Sequence, residues 1–148
     1  MEVVTITENK KQFLDLLLLG DEQEDMIDKY LPQCDLHVLY AEGNPVSLCA
    51  VTREGEGVIE IKNLATEPRE QKKDYGSYLL DYVSKAYQGR GKFLQLGTGD
   101  VPWILKFYND CGFQFAHSIP NFFTDNYHEP IYEDGHQLVD MIYLSKPL

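Results

Sequence analysis

A short basic stretch lies directly before a predicted helix and is suited to bind an anion. Arg69, Lys72 and Lys73 are close together in the sequence, and Gly76 and Ser77 follow them. The first turn of a helix leaves backbone N–H groups without partners and carries about half a positive charge. Phosphate groups bind at such a helix end, where a glycine lets the backbone approach them. The alternative is a solvated turn in which neighbouring acidic residues balance the basic ones.

A second group of residues with chemical potential lies between Phe122 and Glu133. The stretch is long for a connection between two elements, and long loops often carry function. It mixes aromatic side chains, among them Phe123 and Tyr127, with acidic ones such as Asp125. Carboxylates and aromatic faces together bind cations. The sequence therefore indicates either a site for a cationic amine with an apolar body or a loop packed by its own aromatic residues.

Regular elements must hold these residues in place, and hydrophobic periodicity with turn residues predicts where they lie. In order, we predict a strand over residues 3–7, helices over 9–20 and 21–31, strands over 35–41, 46–52 and 58–66, a helix over 75–87, a strand over 93–96, a helix over 102–111, and strands over 113–119 and 137–144. Residues 120–134 are expected to be irregular. The three strands between 35 and 66 form an antiparallel meander. The strand over 93–96 lies between two helices in the sequence, which predicts a central strand parallel to its predecessor.

The second predicted helix has an apolar side and an acidic side. Asp21 is expected to cap it, and Tyr30 lies on the apolar side. The opposite side carries four acidic residues, Glu22, Glu24, Asp25 and Asp28. Such a set forms either a solvated face or one wall of a cleft that binds cations.

Length and charge narrow the class of protein. A chain of 148 residues predicts one domain, and a net charge of −11 argues against a nucleic-acid-binding protein, which would carry a basic face. Three widely spaced cysteines without a ligand pattern argue against a metal site. The N-terminal residues do not have the pattern of a signal segment, and no apolar run could span a bilayer. We therefore expect a cytoplasmic protein that binds neither membranes nor nucleic acids.

Two motifs in this order of elements resemble the GCN5-related N-acetyltransferase superfamily, in its small bacterial single-domain subgroup. The first is a loop whose pattern in the family is Gln/Arg-x-x-Gly-x-Gly/Ala. It corresponds here to Gln71 to Gly76, in which Asp74 replaces the first glycine. Asp is among the residues that tolerate the backbone conformation of a glycine there. The second motif is an aromatic pair followed by Gly-Phe at the end of a helix, here residues 107–113.

The resemblance implies an α/β (α+β) fold of the acyl-CoA N-acyltransferase type. Its sheet is mixed, mostly antiparallel, with six to seven strands flanked by about four helices in one domain over residues 1–148. Acetyl-CoA is the implied co-substrate, without a metal. The residues that the resemblance assigns to its binding are Leu64, Ala65, Thr66, Gln71, Lys72, Lys73, Asp74, Tyr75, Gly76, Ser77 and Asn109.

The resemblance also implies roles in acyl transfer. Tyr108 would be the acid that protonates the leaving thiolate, and a backbone N–H near Leu64 would bind the thioester carbonyl. Glu60, a polar residue between two apolar ones in a strand, would be the base. Tyr108 could instead be a core aromatic, and Glu60 could be a strand carboxylate paired with Lys62 or Lys92.

The expected activity is transfer of acetyl from acetyl-CoA to the primary amine of a small, cationic acceptor by direct attack. Tyr30, His117, Phe123 and Tyr127 are the residues expected to contact that acceptor. The alternatives are a non-catalytic acyl-CoA-binding or regulatory module of the same fold, and a protein N-acetyltransferase. The protein is expected to be a monomer or a homodimer.

Overall fold

The computed structural model describes residues 1–148 as helices and strands joined by short connections. The strands are β1 (Glu2–Ile6), β2 (Asp35–Ala41), β3 (Asn44–Gly55), β4 (Val58–Thr66), β5 (Phe93–Gly99), β6 (Gln114–Ile119), β7 (Tyr132–Glu133), β8 (His136–Gln137) and β9 (Met141–Pro147). The α-helices are α1 (Leu14–Gly20), α2 (Glu24–Ile27), α3 (Tyr75–Ala86), α4 (Pro102–Asp110) and α5 (Phe122–Asn126). Short 3-10 helices span Lys10–Phe13, Leu31–Gln33 and Pro68–Glu70. None of the helices is long and apolar enough to cross a membrane.

Seven strands form the main sheet in the order β1-β2-β3-β4-β5-β9-β6, and β7 pairs with β8 in a separate hairpin. Every neighbouring pair in the main sheet is antiparallel except β4 and β5, which are parallel. The predicted mixed, mostly antiparallel sheet and its parallel central strand are therefore confirmed. The last strand, β9, lies between β5 and the edge strand β6, so the last strand of the chain is not at the edge of the sheet.

Strands β4 and β5 pair along only part of their length. Their register runs from Val58 opposite Phe93 to Ile61 opposite Leu96 and ends there. At that point β4 contains a bulge, because Ile61 and Asn63 face consecutive residues of β3 and Lys62 faces none. A bulge bends its strand and disrupts pairing locally. Beyond it, β4 continues beside β3 and β5 continues beside β9, so an opening forms between β4 and β5.

The bulge also changes which side chains of β4 face each layer of the protein. Ile59 and Ile61 pack in the larger apolar core, which lies between the sheet and α3. After the bulge, Leu64 packs against that core, whereas Ala65 joins the second core beneath α1. One extra residue exchanges the two faces of a strand. As a result, Asn63 points toward α1, where its Nδ2 donates to the Leu17 carbonyl at 2.9 Å.

Two of the early helix predictions were wrong in detail. The helix predicted over 9–20 begins with the 3-10 turn Lys10–Phe13 and becomes α1 only at Leu14. The helix predicted over 21–31 is the single turn α2, whose N-cap position is Gln23. Asp21 does not cap it, because the Asp21 carboxylate accepts hydrogen bonds from two tyrosine hydroxyls instead.

The region after β6 is more regular than its sequence suggested. Residues 120–134 contain α5 and strand β7, so the prediction of an irregular stretch was wrong for these parts. The strand predicted over 137–144 is displaced to β9, which pairs with β5 from Met141 onward. Leu138 has a different role, since its buried side chain packs with Ile131 and Val101 in a small third core.

A network of hydrogen bonds joins β1 and β2 to Tyr87, the residue that follows α3. Tyr87 Oη donates to Asp35, and His37 Nε2 lies 2.9 Å from the same hydroxyl. Because that hydroxyl proton is used, Nε2 must be the donor, and in neutral His37 Nδ1 then accepts from Thr5 Oγ1 at 2.9 Å. This hydrogen-bond network therefore accommodates neutral His37. Burial lowers the pKa of His37, Arg90 acts in the same direction, and Asp35 opposes them.

We expect His37 to make the stability of the protein depend on pH below about 6.5, the ordinary pKa of histidine. A histidine whose pKa is lowered by folding contributes stability above its unfolded pKa and loses it as the pH falls toward its folded pKa. One proton limits the slope to about 1.4 kcal/mol per pH unit. Urea unfolding of wild type and His37→Gln from pH 7.5 to 5 should show the stability difference shrinking with acid. A constant difference would contradict the assignment.

Candidate functional site

A cavity of about 610 Å³ lies between the end of β4, the turn after it and helices α3 and α4. It begins at the opening between β4 and β5, where Ile61 and Gly97 line it. We call it the cofactor cavity. Tyr108, the predicted catalytic acid, lines it, and so do most of the residues that the sequence assigned to acetyl-CoA: Leu64, Thr66, Gln71, Lys72, Asp74, Tyr75, Gly76 and Ser77.

The turn that closes this cavity presents the first turn of α3 to it. Lys72 and Asp74 adopt left-handed backbone conformations, with φ of 65° and 64°. Asp74 holds the N-cap position, but its side chain makes no capping hydrogen bond. The first N–H groups of a helix have no intrahelical partner, so this end of α3 can donate to an anion. Gln71 Nε2 donates to the Thr66 carbonyl at 3.3 Å and ties the turn to β4.

Three of the predicted cofactor residues do not line the cavity. Lys73 forms an ion pair with Glu70 at 2.7 Å, and both belong to the turn. Ala65 is buried in the core beneath α1, and its carbonyl accepts a hydrogen bond from Ser47 Oγ at 2.8 Å. Asn109 is exposed on α4. The structure thus offers Lys72 as the basic side chain of the turn on the cavity side.

Tyr108 reaches the cofactor cavity from α4. Its ring makes edge contacts with Phe107 and Phe113, at centroid distances of 5.1 and 5.9 Å. Burial raises the pKa of Tyr108, so its hydroxyl stays protonated at neutral pH. The ring is fixed by aromatic neighbours, while the hydroxyl remains available to a ligand.

A second cavity, of about 510 Å³, lies on the other side of the opening between β4 and β5. We call it the acceptor cavity, after the acceptor residues that the sequence predicts and that line it. Ile61, Lys62, Gly97 and Thr98 line both cavities, which therefore meet at the opening. The residues of the acceptor cavity that the sequence singled out are Tyr30, Glu60, Phe123 and Tyr127.

His117, the remaining predicted acceptor residue, lies outside the cavity wall. Its imidazole is exposed on β6 and stacks on the ring of Tyr143, with centroids 4.7 Å apart. Tyr143 does line the acceptor cavity. His117 is therefore separated from the cavity by one aromatic ring.

Glu60 is buried at the wall of the acceptor cavity and has three partners. Its carboxylate accepts from Gln95 Nε2 at 2.6 Å and from Tyr143 Oη at 3.3 Å. It also forms an ion pair with Lys62 at 2.7 Å. The ion pair with Lys62 is the alternative that the sequence left open for this residue, whereas no such pair joins it to Lys92.

The acidic residues of the acceptor cavity are not the ones expected from the second helix. Those acids lie outside: Glu24 and Asp28 pair with Lys11, and Asp25 contacts His128. The carboxylates that line the cavity belong to Asp21, Glu54, Glu60 and Glu133, opposite the ammonium groups of Lys29 and Lys62. No group of three or more His, Cys, Asp or Glu side chains is placed to hold a metal ion.

A hydrogen-bond network fixes the aromatic wall of the acceptor cavity. Tyr30 and Tyr127 both donate to Asp21, at 3.3 and 2.6 Å, and Asn63 Nδ2 donates to Tyr30 Oη at 3.1 Å. Burial raises the pKa of the Asp21 carboxyl, and the two tyrosine hydroxyls oppose this shift. Sequence reasoning missed this role, since an Asp directly after Gly20 has the pattern of a helix cap.

Gly20→Ala is expected to disrupt this network. A Cβ at position 20 would overlap Asn63 Oδ1, and it would lie 2.9 Å from Asn63 Cγ and 3.3 Å from the Leu64 carbonyl. Asn63 would have to move and lose its hydrogen bonds to Leu17 and Tyr30. We expect the free energy of unfolding to fall by about 1–3 kcal/mol, which urea titration measures.

A double-mutant cycle with Asn63→Ala provides the control for Gly20→Ala. If the clash is with Asn63, the alanine at position 20 should cost much less in the Asn63→Ala background. Equal costs in the two backgrounds would place the clash elsewhere, at the Leu64 carbonyl.

Comparisons with known proteins agree with this geometry. The family model of the acetyltransferase (GNAT) domain matches residues 32–115. The uncharacterized N-acetyltransferase YvbK of Bacillus subtilis is 32% identical over 139 residues, which cover 93% of this chain and 90% of that protein.

Solved structures resemble the whole chain. A GNAT family acetyltransferase from Elizabethkingia anophelis with acetyl-CoA bound has 33% identity and a TM-score of 0.93, over 99% of this chain and 97% of the other. A Bacillus subtilis acetyltransferase in complex with CoA has 30% identity and a TM-score of 0.90, over 99% and 98%. The fold, the two motifs and these relatives together show that the chain belongs to the GNAT acetyltransferase family.

Proposed function

We propose that the protein transfers the acetyl group of acetyl-CoA directly to the primary amine of a small, cationic acceptor. The observation that carries this proposal is the pair of cavities that meet at the opening between β4 and β5. One cavity ends at the N-terminus of a helix and suits an anionic co-substrate. The other is lined by carboxylates and aromatic rings and suits an amine. Acetyl-CoA or CoA in relatives of 33% and 30% identity supports the choice of co-substrate.

On the cofactor side, the diphosphate of acetyl-CoA would accept hydrogen bonds from the first N–H groups of α3. Lys72 lines this end of the cavity and adds a positive charge. The arm of the co-substrate would follow β4 past Thr66 and Leu64, because the β4 backbone is no longer paired with β5 there. This arm would bring the thioester to the opening, within reach of the acceptor cavity.

On the acceptor side, charge and aromatic surface favour a cationic amine. Four carboxylates face two lysines, and one of those lysines, Lys62, is already paired with Glu60. Phe122, Phe123 and Tyr127 contact one another and supply an aromatic wall. A cation over an aromatic face gains about 0.5–2 kcal/mol, more when water is excluded.

The chemistry would require the amine to lose a proton and the leaving thiolate to gain one. The amine must lose a proton before its nitrogen attacks the thioester carbon, and a backbone N–H of β4 near Leu64 or Ala65 would stabilise the oxyanion. Collapse of the intermediate breaks the carbon–sulfur bond, and Tyr108 would protonate the thiolate. A carboxylate of the acceptor cavity would take the amine proton, and Glu60 is the candidate that the sequence offers.

Two measurements test the proposal. Calorimetry should show CoA binding to the protein, and a screen of polyamines, amino acids and aminoglycosides with acetyl-CoA should show acceptor-dependent release of free thiol. Binding without turnover of any amine would favour a non-catalytic acyl-CoA-binding module. Turnover only with peptides would favour a protein N-acetyltransferase, and absence of CoA binding would overturn the whole assignment.

A further inference from the structure

Glu133 occupies a position that no other carboxylate of the acceptor cavity shares. It lines both the acceptor cavity and the cofactor cavity, so it stands where the two meet. Asp21, Glu54 and Glu60 line only the acceptor cavity. A group that collects a proton from an attacking amine must lie within hydrogen-bond reach of the nitrogen as it meets the thioester. The junction of the cavities is the place where this happens.

The position of Glu133 is held by a well-defined hairpin. Strands β7 and β8 pair Glu133 with His136, and the two residues between them, Asp134 and Gly135, have φ of 51° and 79°. Positive φ at both positions is typical of the tight turn that joins antiparallel strands. Buried side chains anchor the hairpin on either side, since Ile131 and Leu138 pack in the third core. A base on such an element is positioned rather than mobile.

The contacts of Glu60 and Glu133 differ in a way that matters for proton transfer. Glu60 is almost fully buried and already has Gln95, Lys62 and Tyr143 as partners. These partners already occupy the carboxylate oxygens of Glu60 and would compete with an attacking amine for them. Glu133 is half-buried, and its side chain makes no hydrogen bond or ion pair within the protein. Burial raises the pKa of Glu133, and the charge of Glu22 adds to the shift.

We infer that Glu133, rather than Glu60, accepts the proton of the attacking amine; this inference rests on the acetyl transfer proposed above. The acceptor ammonium gives its proton to the Glu133 carboxylate, and the free nitrogen forms a bond to the thioester carbon. The carbon–sulfur bond then breaks, and Tyr108 gives its proton to the sulfur. The products are an acetamide and the CoA thiol. Glu133 releases its proton to water, and the acetamide nitrogen loses its second proton to Tyr108.

Charged groups from several elements line the two cavities that Glu133 shares. Besides Glu22, the ionisable residues that share its cavities are Asp21, Lys29, Tyr30, Glu54, Glu60, Lys62, Glu70, Lys72, Asp74, Tyr75, Tyr108, Tyr127 and Tyr143. The acids on the acceptor side oppose ionisation of Glu133, whereas Lys62, which lines both cavities, favours it. A bound cationic acceptor would favour it too.

The pH dependence of kcat/KM, which reports ionisation in the free enzyme, distinguishes Glu133 from Glu60, with the best amine of the acceptor screen as substrate. Wild type should lose kcat/KM in acid with a midpoint above the ordinary pKa of glutamate. Glu133→Gln should lower kcat at pH 7 by about 100- to 10,000-fold. It should also abolish that acid midpoint. The remaining rate should rise only as the acceptor ammonium itself loses its proton at higher pH. Glu60→Gln should keep the acid midpoint, whatever its effect on the rate.

Matched variants separate this result from a folding defect. Asp134→Asn makes the same change one residue away on an exposed turn position that asparagine tolerates, and it should leave kcat unchanged. Glu133→Asp should restore part of the rate with the acid midpoint. Unaltered CoA binding by Glu133→Gln shows that the variant is folded. A wild-type acid midpoint in Glu133→Gln would overturn this inference alone. If wild type turns over no amine, both this inference and the proposed function are contradicted.

Discussion

Tyr108→Phe is expected to lower kcat by about 100- to 10,000-fold, the usual contribution of a general acid. The affinity for CoA should stay within about threefold of wild type. The substitution removes only the hydroxyl, while the ring keeps its contacts with Phe107 and Phe113. An interaction used only in the transition state lowers kcat and kcat/KM together and leaves ground-state binding intact. Steady-state kinetics with calorimetry on the same preparation gives both quantities.

A second tyrosine provides the control for this experiment. Tyr78 is exposed on α3 and lines neither cavity, so Tyr78→Phe should leave kcat unchanged. Because burial raises the pKa of Tyr108, the proton of its hydroxyl should be retained up to and beyond pH 10, the ordinary pKa of tyrosine. Wild-type kcat should therefore show no fall from ionisation of Tyr108 below that pH. An unchanged kcat in Tyr108→Phe would indicate that Tyr108 is a core aromatic, the alternative that the sequence left open.

The turn beside the cofactor cavity could be located from the sequence because its residues are consecutive. The turn from Gln71 to Ser77 is a local motif, and local backbone preferences decide its shape. Asp74 shows this, because it stands at a glycine position of the motif and adopts the left-handed conformation, with φ of 64°. What the sequence did not reveal is the direction of each side chain. Lys73 turns to Glu70 instead of the cavity, a choice between neighbouring partners that periodicity does not encode.

The acceptor side could not be predicted in the same way, because its residues come from distant parts of the chain. Asp21 meets Tyr127 only because the chain returns after β6, 106 residues later. Tyr143 reaches Glu60 because β9 enters the sheet beside β5, out of sequence order. The bulge at Lys62 shifts the facing of the residues after it, and alternation alone gives no sign of the change.

One part of the acceptor side did have a readable signal. The residues Asp134 and Gly135 form the dipeptide that most strongly indicates a tight hairpin, with short strands on either side. A hairpin predicted from Asp134 and Gly135 would have placed Glu133 on a strand instead of in an irregular loop. The position of Glu133 at both cavities follows only from the three-dimensional structure.

Gly76→Glu is expected to reduce the affinity for CoA at least about 100-fold without destabilising the protein. Position 76 lies in the first turn of α3 and lines the cofactor cavity. A carboxylate there interacts favourably with the helix N-terminus, so the free energy of unfolding should not decrease. The same carboxylate would occupy the place proposed for the diphosphate and repel it. A 100-fold loss corresponds to roughly 2.7 kcal/mol of binding free energy.

Two other substitutions at this position separate charge from size. A Cβ at residue 76 would lie 3.7 Å from Phe107 Cζ and 3.9 Å from Thr66 Oγ1, which is ordinary contact, so Gly76→Ala should fold and bind CoA nearly as wild type. Alanine also favours the helix by about 0.5–1 kcal/mol over glycine. Gly76→Gln carries the bulk without the charge, and its loss of affinity should be smaller. Salt should weaken the extra penalty of glutamate, since repulsion between partly exposed charges is screened. Wild-type affinity in Gly76→Glu would mean that the diphosphate does not bind at the N-terminus of α3.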